Sequence, residues 1–256
     1  MTSISNAPVV LVTAGSAGLG AAASRLFAQN GYRVAVNYSN NVERANKLLE
    51  ELPGLSPLPE GTSENFVVIR ADLGSREEIG GLVRETVERF GRLDVLFSNG
   101  GWTRVRGLVS IDDNCHEEEW DRAFNMNVKS HLWLMQAAKK HLEEAEGAFI
   151  TTASIAAVHH SGSSLAYAVT KAAHLHLARA LAVMAAPKIR VNSVSPGLLL
   201  TEWAERFTDE QKEDHLQKTK LKRIVTVEDV ADQVLTFARN RSITGVNVVM
   251  DAGFTL

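Results

Sequence analysis

Short apolar runs alternate with helical stretches along almost the whole chain, and this alternation restricts the possible folds more than any other feature. Val9–Thr13, Arg33–Asn37, Phe66–Arg70, Val95–Ser98, Ala148–Thr152, Arg190–Val194 and Asn247–Met250 read as strands. Between them, 18–30, 42–51, 75–90, 117–141, 165–185 and 226–239 read as helices, with a further one between 209 and 221. Strands separated by helices form βαβ units, and strands buried on both faces show continuous apolar runs rather than alternation. The expected fold class is α/β: a doubly wound, Rossmann-type domain over 1–256 with a seven-stranded parallel sheet and helices on both faces. In such a sheet a ligand lies beyond the carboxyl ends of the strands.

The first of these units carries a specific signal. Val9-Val10-Leu11-Val12-Thr13 leads into Ala14-Gly15-Ser16-Ala17-Gly18-Leu19-Gly20 and then an alanine-rich helical stretch. Glycines in such a turn let the backbone approach a ligand without a Cβ in the way, and the free N–H groups opening the helix suit a pyrophosphate. Tyr167 and Lys171 form the second signal, with Ser154 thirteen residues before the tyrosine. On a helix, positions four apart share a face, and a neighbouring ammonium lowers a phenol's pKa toward the range of a general acid and base. Alone, such a pair is common on solvated helices.

Together the motifs resemble the short-chain dehydrogenase/reductase family from about Val9 to the C-terminus. Thr13, Gly15, Ser16, Gly18, Leu19 and Gly20 resemble its glycine loop, Asp72-Leu73 its adenine-side acid, and Asn99-Gly100-Gly101 its Asn-Ala-Gly turn. Asn127, Ser154, Tyr167 and Lys171 match its catalytic tetrad, Pro196, Gly197 and Thr201 its nicotinamide-side segment, and Asp251-Ala252-Gly253 its C-terminal Asp-Gly-Gly. The resemblance implies hydride transfer between a nicotinamide cofactor and a carbonyl or secondary alcohol. In that scheme Tyr167 passes the proton, Ser154 binds the carbonyl oxygen, Lys171 serves the phenol and the ribose, and Asn127 holds a water. Two positions depart from the pattern: Ala14 stands at the usual first glycine and Gly100 at the usual alanine. Ala14 is expected to keep negative φ, leaving any strained conformation to Gly15.

Tyr38, Ser39 and Asn40 end the second strand, where an NAD-selective enzyme places an acid on the ribose hydroxyls. With no acid there, and with Ser39, Asn40 and Arg44 as donors, NADP(H) is expected over NAD(H). Leu198 to about Leu221 is the expected substrate lid. Trp102, Arg104, Arg106, His159 and His160 are candidates to line the substrate cleft, Asn125 reads as surface, and His174 and His176 face different directions and cannot share a site. The stretch from Leu52 to Ser63, with Pro53, Pro57 and Pro59, reads as an irregular surface excursion.

Composition narrows the partners. A net charge of −3, with no dense basic block, gives no field for nucleic acid, and no apolar run reaches the length of a membrane span. Cys115 is the single cysteine, beside His116 without further ligands at metal spacing, so no metal is expected. A cytoplasmic protein is expected. The end of the 165–185 helix is apolar nearly all round, and family members often pair through it, so a homotetramer or homodimer is expected. Two other functions are compatible with these motifs. One is a reductase of carrier-protein-bound β-ketoacyl groups, docking through Arg104, Arg106, Lys188 or the Lys218–Arg223 cluster. The other is a catalytically idle dinucleotide-binding scaffold.

Overall fold

The computed structural model describes residues 6–59 and 65–256. Its centre is a sheet of seven parallel strands: β1 Val9–Val12, β2 Arg33–Tyr38, β3 Phe66–Arg70, β4 Val95–Ser98, β5 Ala148–Thr152, β6 Arg190–Pro196 and β7 Asn247–Met250. Their order is β3-β2-β1-β4-β5-β6-β7. The order reverses between β1 and β4, so the loops after these two strands diverge and leave a crevice at the carboxyl edge. β1 and β4 are buried along their whole length, as strands covered by helices on both faces must be.

The helices are α1 Gly18–Gln29, α2 Val42–Leu55, α3 Arg76–Phe90, α4 Glu117–Phe124, α5 Ser130–Glu144, α6 Leu165–Ala185, α7 Asp209–Lys218 and α8 Val227–Arg239. Two apolar cores result. Val10, Val12 and Val34 point into one with Phe27 of α1 and Val234 of α8, while Leu11, Ala35 and Leu96 point into the other with Leu82, Leu134 and Leu181. Side chains adjacent along a strand thus serve opposite faces.

Most helix starts carry a polar cap. Ser75, Ser164, Thr208 and Thr226 each accept a backbone N–H three residues on, and Thr208 with Gln211 completes a capping box. Two differences from expectation stand out. Helix α2 continues through Pro53 to Leu55, because Leu52 is anchored in the core and a proline in the last turn forfeits a single helical hydrogen bond; residues 60–64 of the expected excursion lie outside the described residues. The expected 117–141 helix is divided by a π segment at Asn125–Lys129. The inserted residue rotates the succeeding turns and brings Asn127 inward, fully buried.

Candidate functional site

The loop after β1 depends on contacts that its own sequence does not show. The Ala14 N–H donates to Asn37 Oδ1 at 3.1 Å and the Gly15 N–H to the Asn37 carbonyl at 2.8 Å. The Asn37 amide in turn donates to the carbonyls of Ile69 and Ala71, so one buried side chain ties the turns after β1 and β3 together. Ala14 has φ +48°, contrary to expectation, and Gly15 does not take up the left-handed geometry. The backbone is pulled into this conformation by both ends of Asn37. A Cβ on Gly15 would lie 2.7 Å from the Val12 carbonyl oxygen, and one on Gly20 would strike the Ala14 carbonyl. Gly18, at φ +47°, faces Thr201 across the cleft. The backbone itself lines this cradle, beside the N-terminus of α1, which fits the pyrophosphate of a dinucleotide.

Thr13 is a hinge pin between strands: its Oγ1 accepts the N–H groups of Asn99 at 2.9 Å and Gly100 at 3.3 Å. Ser16 and Leu19 are buried beside it. A Cβ on Gly100 would collide with Leu73 Cδ1, so the departure at Gly100 is matched by the buried Leu73 side chain. The Asp72 carboxylate accepts the Gly74 N–H at 2.8 Å and closes the turn after β3. Asn125, expected at the surface, reaches the Gly74 carbonyl at 2.9 Å and is half-buried. Tyr38, Ser39 and Asn40 lie at the end of β2 as expected, and Arg70 donates to the Ser39 carbonyl at 3.2 Å.

A cavity of about 870 Å³ opens at the carboxyl edge. Among its walls are Gly18, Leu19, Asn99, Gly101, Ser154, Tyr167, Lys171, Pro196, Gly197 and Thr201. The tyrosine and lysine come from α6, whose cap at Ser164 sets the register of its first turn. Ser154, in the turn after β5, accepts the Ala156 N–H. Asn127 stands behind the cavity. Its Oδ1 accepts the Trp102 N–H at 2.7 Å, and its Nδ2 donates to the Trp102 carbonyl and to Thr170 Oγ1, which donates to the Tyr167 carbonyl. Its side chain is thus committed to locking the turn after β4 onto α6.

Burial dominates the electrostatics of the tyrosine and the lysine. Burial pushes the Tyr167 phenol above its ordinary value, with the hydrogen-bonding influence of Ser154 acting downward. Lys171, 3% exposed, is brought down to about 7 by the same desolvation. Its Nζ donates to the Thr152 carbonyl at 2.8 Å and lies 5.6 Å from the phenol ring centre. Desolvation is thus the larger influence on the phenol, and it acts upward.

The other cleft candidates fall elsewhere. Trp102 packs under the Arg122 guanidinium, Arg104 and Arg106 pair with Glu119, and His159 and His160 are exposed beside the cavity, His159 edge-on to Phe254. Trp203, Phe254 and His215 line the cavity instead. The Trp203 ring centre stands 6.4 Å from that of Tyr167, and Phe254 stacks on His215 at 4.3 Å. These residues come from the 198–221 segment and the C-terminus. Only the segment as a whole could be singled out from sequence, since no motif marks its individual side chains.

Comparison with known proteins agrees with this geometry. A family described as enoyl-(acyl carrier protein) reductase matches residues 13–255. The chain is 34% identical over 255 residues to a putative ketoacyl reductase 2 of the granaticin polyketide synthase of Streptomyces violaceoruber, covering 98% of each. It is 30% identical to a 3-oxoacyl-[acyl-carrier-protein] reductase of Staphylococcus aureus, over 95% of this chain and 96% of the relative. A short chain dehydrogenase from Burkholderia cenocepacia, solved in complex with NADP, superposes with a TM-score of 0.86 at 29% identity, over 97% of this chain and 98% of that one. The chain belongs to the short-chain dehydrogenase/reductase family of oxidoreductases.

Proposed function

We propose that this chain reduces a ketone to a secondary alcohol with NADPH as donor, and that Ser154, Tyr167 and Lys171 are the groups that meet the reacting atoms. The observation carrying this reading is the convergence in one cavity of Ser154 from the turn after β5, Tyr167 and Lys171 from α6, and the glycine cradle after β1. The residues from Thr13 to Gly20 and Asn99 to Gly101 would hold the dinucleotide, with Pro196, Gly197 and Thr201 at its nicotinamide end. The bound nicotinamide supplies hydride. The Ser154 hydroxyl donates a hydrogen bond to the carbonyl oxygen, and the Tyr167 phenol donates a second and then its proton. A phenol kept neutral by burial is in the right state to give a proton. Lys171, in its protonated form, stabilises the phenolate left behind. Asn127 acts at one remove, fixing α6 against the turn after β4. Residues 198–221, which bring Trp203 against Tyr167, serve as lid over the one-domain body.

NADPH is favoured over NADH by the absence of an acid at Tyr38–Asn40 and by two cations. Arg44 lies one helical turn beyond Asn40, where it pairs with Glu202, and Arg70 touches Ser39 directly. The outer face of α6 leaves Val183 80% exposed and Met184 77%, a surface that a second subunit would cover in a homotetramer or homodimer. Among the described residues no helix is long and apolar enough to cross a membrane, and we assign the protein to the cytoplasm.

The relatives' names favour a second reading, a β-ketoacyl group delivered on a carrier protein. Against it, the basic residues proposed for docking are mostly engaged. Arg104 and Arg106 share Glu119, Lys188 meets Glu146, Lys218 meets Asp214 and Arg223 meets Asp229. The test is NADPH oxidation with free aryl and alkyl ketones, β-ketoacyl thioesters and the same acyl group on its carrier, for wild type and Tyr167→Phe. Turnover of a free ketone, lost by at least about a hundredfold in the variant, is the expected result. No turnover with any carbonyl overturns the proposal, and turnover confined to the carrier-bound group selects the second reading.

A further inference from the structure

Beside the reacting groups the cavity has an aromatic wall that the chemistry just described does not use. Two ring pairs build it. Trp203 stands against Tyr167 with ring centres 6.4 Å apart and planes 51° from parallel, and Phe254 lies flat on His215 with centres 4.3 Å apart and planes 11° from parallel. All four rings line the one cavity. The first pair abuts the phenol. The second reaches the segment assigned above to the nicotinamide end, since a Cβ on Gly197 would lie 3.7 Å from His215 Nε2. The wall is held from outside the cavity. Ala204, 2% exposed, anchors the short helical turn Glu202–Arg206, and Thr201 Oγ1 caps that turn by accepting the Trp203 N–H at 3.3 Å. Beyond β7 the Asp251 carboxylate accepts the N–H groups of Gly253 at 2.8 Å and Thr255 at 2.9 Å, which fixes Phe254 between them, and His159 meets its edge.

We propose that this wall selects a neutral aromatic ketone, with Trp203 and Phe254 as the specificity-determining residues for a planar ring attached to the carbonyl. This rests on the ketone-reduction reading given above. Three observations carry it. The first is position: a carbonyl that meets both the phenol and the nicotinamide has a substituent facing the two ring pairs that flank these groups. The second is shape. Aromatic rings attract one another in offset and edge-on arrangements, with centres about 4.5–7 Å apart, beyond the area they bury. Trp203 and Phe254 come from separate segments, so a flat ring gains such contacts twice, whereas a saturated ring of the same size gains burial alone. The third is charge. Among the described residues lining the cavity, the fixed cations are Arg44, assigned above to the cofactor, and Lys171, assigned to the phenol. The lid contributes the carboxylates of Glu205 and Asp214 instead, and burial lowers the His215 pKa, so that this ring stands neutral. An anionic substituent there would meet carboxylates rather than a cation of its own.

The test compares phenyl methyl ketone with cyclohexyl methyl ketone in wild type, Trp203→Leu, Phe254→Leu and Trp203→Phe. The two ketones share the carbonyl and the ring size and differ in flatness and π face, and their intrinsic reactivities cancel when one variant is divided by another. The phenyl-to-cyclohexyl ratio of kcat/KM should fall about three- to tenfold in each leucine variant, mostly through KM. Trp203→Phe, which keeps an aromatic face, should hold the ratio within about twofold of wild type. A carboxylate at the para position of the phenyl ketone should cost wild type about tenfold or more in kcat/KM. Ratios unmoved in both leucine variants, or a carboxylated ketone turned over as well as the neutral one, would overturn the proposal and leave ketone reduction intact. A wild-type chain that turns over no ketone refutes the functional reading instead. Calorimetric titration of the NADPH-loaded chain with the two ketones then decides the aromatic site by itself: a preference of about threefold or more for the phenyl ketone supports it, and equal affinity overturns it.

Discussion

Replacing Ala14 by glycine should make this protein more stable. Ala14 sits at φ +48° with its side chain exposed to the cleft, so its Cβ meets the left-handed backbone without burial to compensate. That conformation costs an L-residue about 1–2 kcal/mol. Glycine removes the penalty but frees the unfolded chain by about 0.4–1 kcal/mol, leaving a net gain of roughly 0.5–1 kcal/mol. Ala252, at φ +54° beyond β7, shares the backbone strain but is half-buried against the core, so its glycine variant should gain less. Four strand spacings of about 4.8 Å separate β1 from β7, so the two sites lie roughly 19 Å apart along the sheet and their gains should add. For a chain of this size 1 kcal/mol moves Tm by about 2–4 °C, giving an expected rise of roughly 1–4 °C for Ala14→Gly and somewhat more for the double variant. Calorimetry at fixed protein concentration, with reversibility checked, measures it. Ala14→Val provides the opposite sign, since a branched Cβ suits φ > 0 worse than a methyl. A fall in Tm for both glycine variants, or no difference between valine and glycine at 14, would refute the reasoning.

Three further outcomes are expected. Lys171→Met should stabilise the cofactor-free protein in a pH-dependent way while abolishing turnover. The folded amine titrates at about 7 against 10.5 unfolded, so the unfolded chain binds more protons between these values. Wild-type stability therefore gains up to about 1.4 kcal/mol per unit as pH rises through that window, and the advantage of the methionine variant, up to about 5 kcal/mol at pH 7 and below, fades toward pH 10.5; urea titrations at pH 6 and 9.5 that give the same difference would refute it. Arg44→Ala with Arg70→Ala should weaken NADPH binding at least tenfold and NADH binding little, measured by fluorescence titration, and equal losses for both would remove the 2′-phosphate assignment. Val183→Glu with Met184→Glu should lower the assembly state seen by light scattering, and an unchanged mass would place the interface elsewhere.

The strands, α1, α6 and the order of the site residues are legible in the sequence because each is a local signal: apolar runs, a glycine turn before a helix, a four-residue spacing. The features that differ from expectation share a cause in long-range contacts. Residue type alone puts Ala14 at negative φ. Asn37, twenty-three positions away, overrides that preference by engaging the backbone on either side of the Ala14–Gly15 peptide. Likewise sequence proximity pairs His174 with His176 for comparison, whereas its partner in the fold is His131, brought over by α5. The polar side chain of Asn125 suggests surface, yet it bonds the Gly74 carbonyl, fifty-one positions earlier.

These same contacts explain how the chain departs from its family's glycine pattern without losing the cradle. A glycine loop adopts left-handed geometry at no steric cost but is free to leave it; an alanine loop must be held there. Asn37 does the holding through four hydrogen-bonding roles: its carbonyl accepts from Gly15, its Oδ1 accepts from Ala14, and its Nδ2 donates to Ile69 and Ala71. Strain at position 14 is therefore borne by the buried amide network between β1, β2 and β3. Asn37→Ala should accordingly cost more in this chain than in its Ala14→Gly variant, because the glycine loop keeps its shape when the pin is removed. A double-mutant cycle on unfolding free energy would show this as a coupling of about 0.5 kcal/mol or more between residues 14 and 37. Strict additivity would mean that the loop holds its left-handed turn without Asn37, and would return the conformation of Ala14 to a cause within the loop itself.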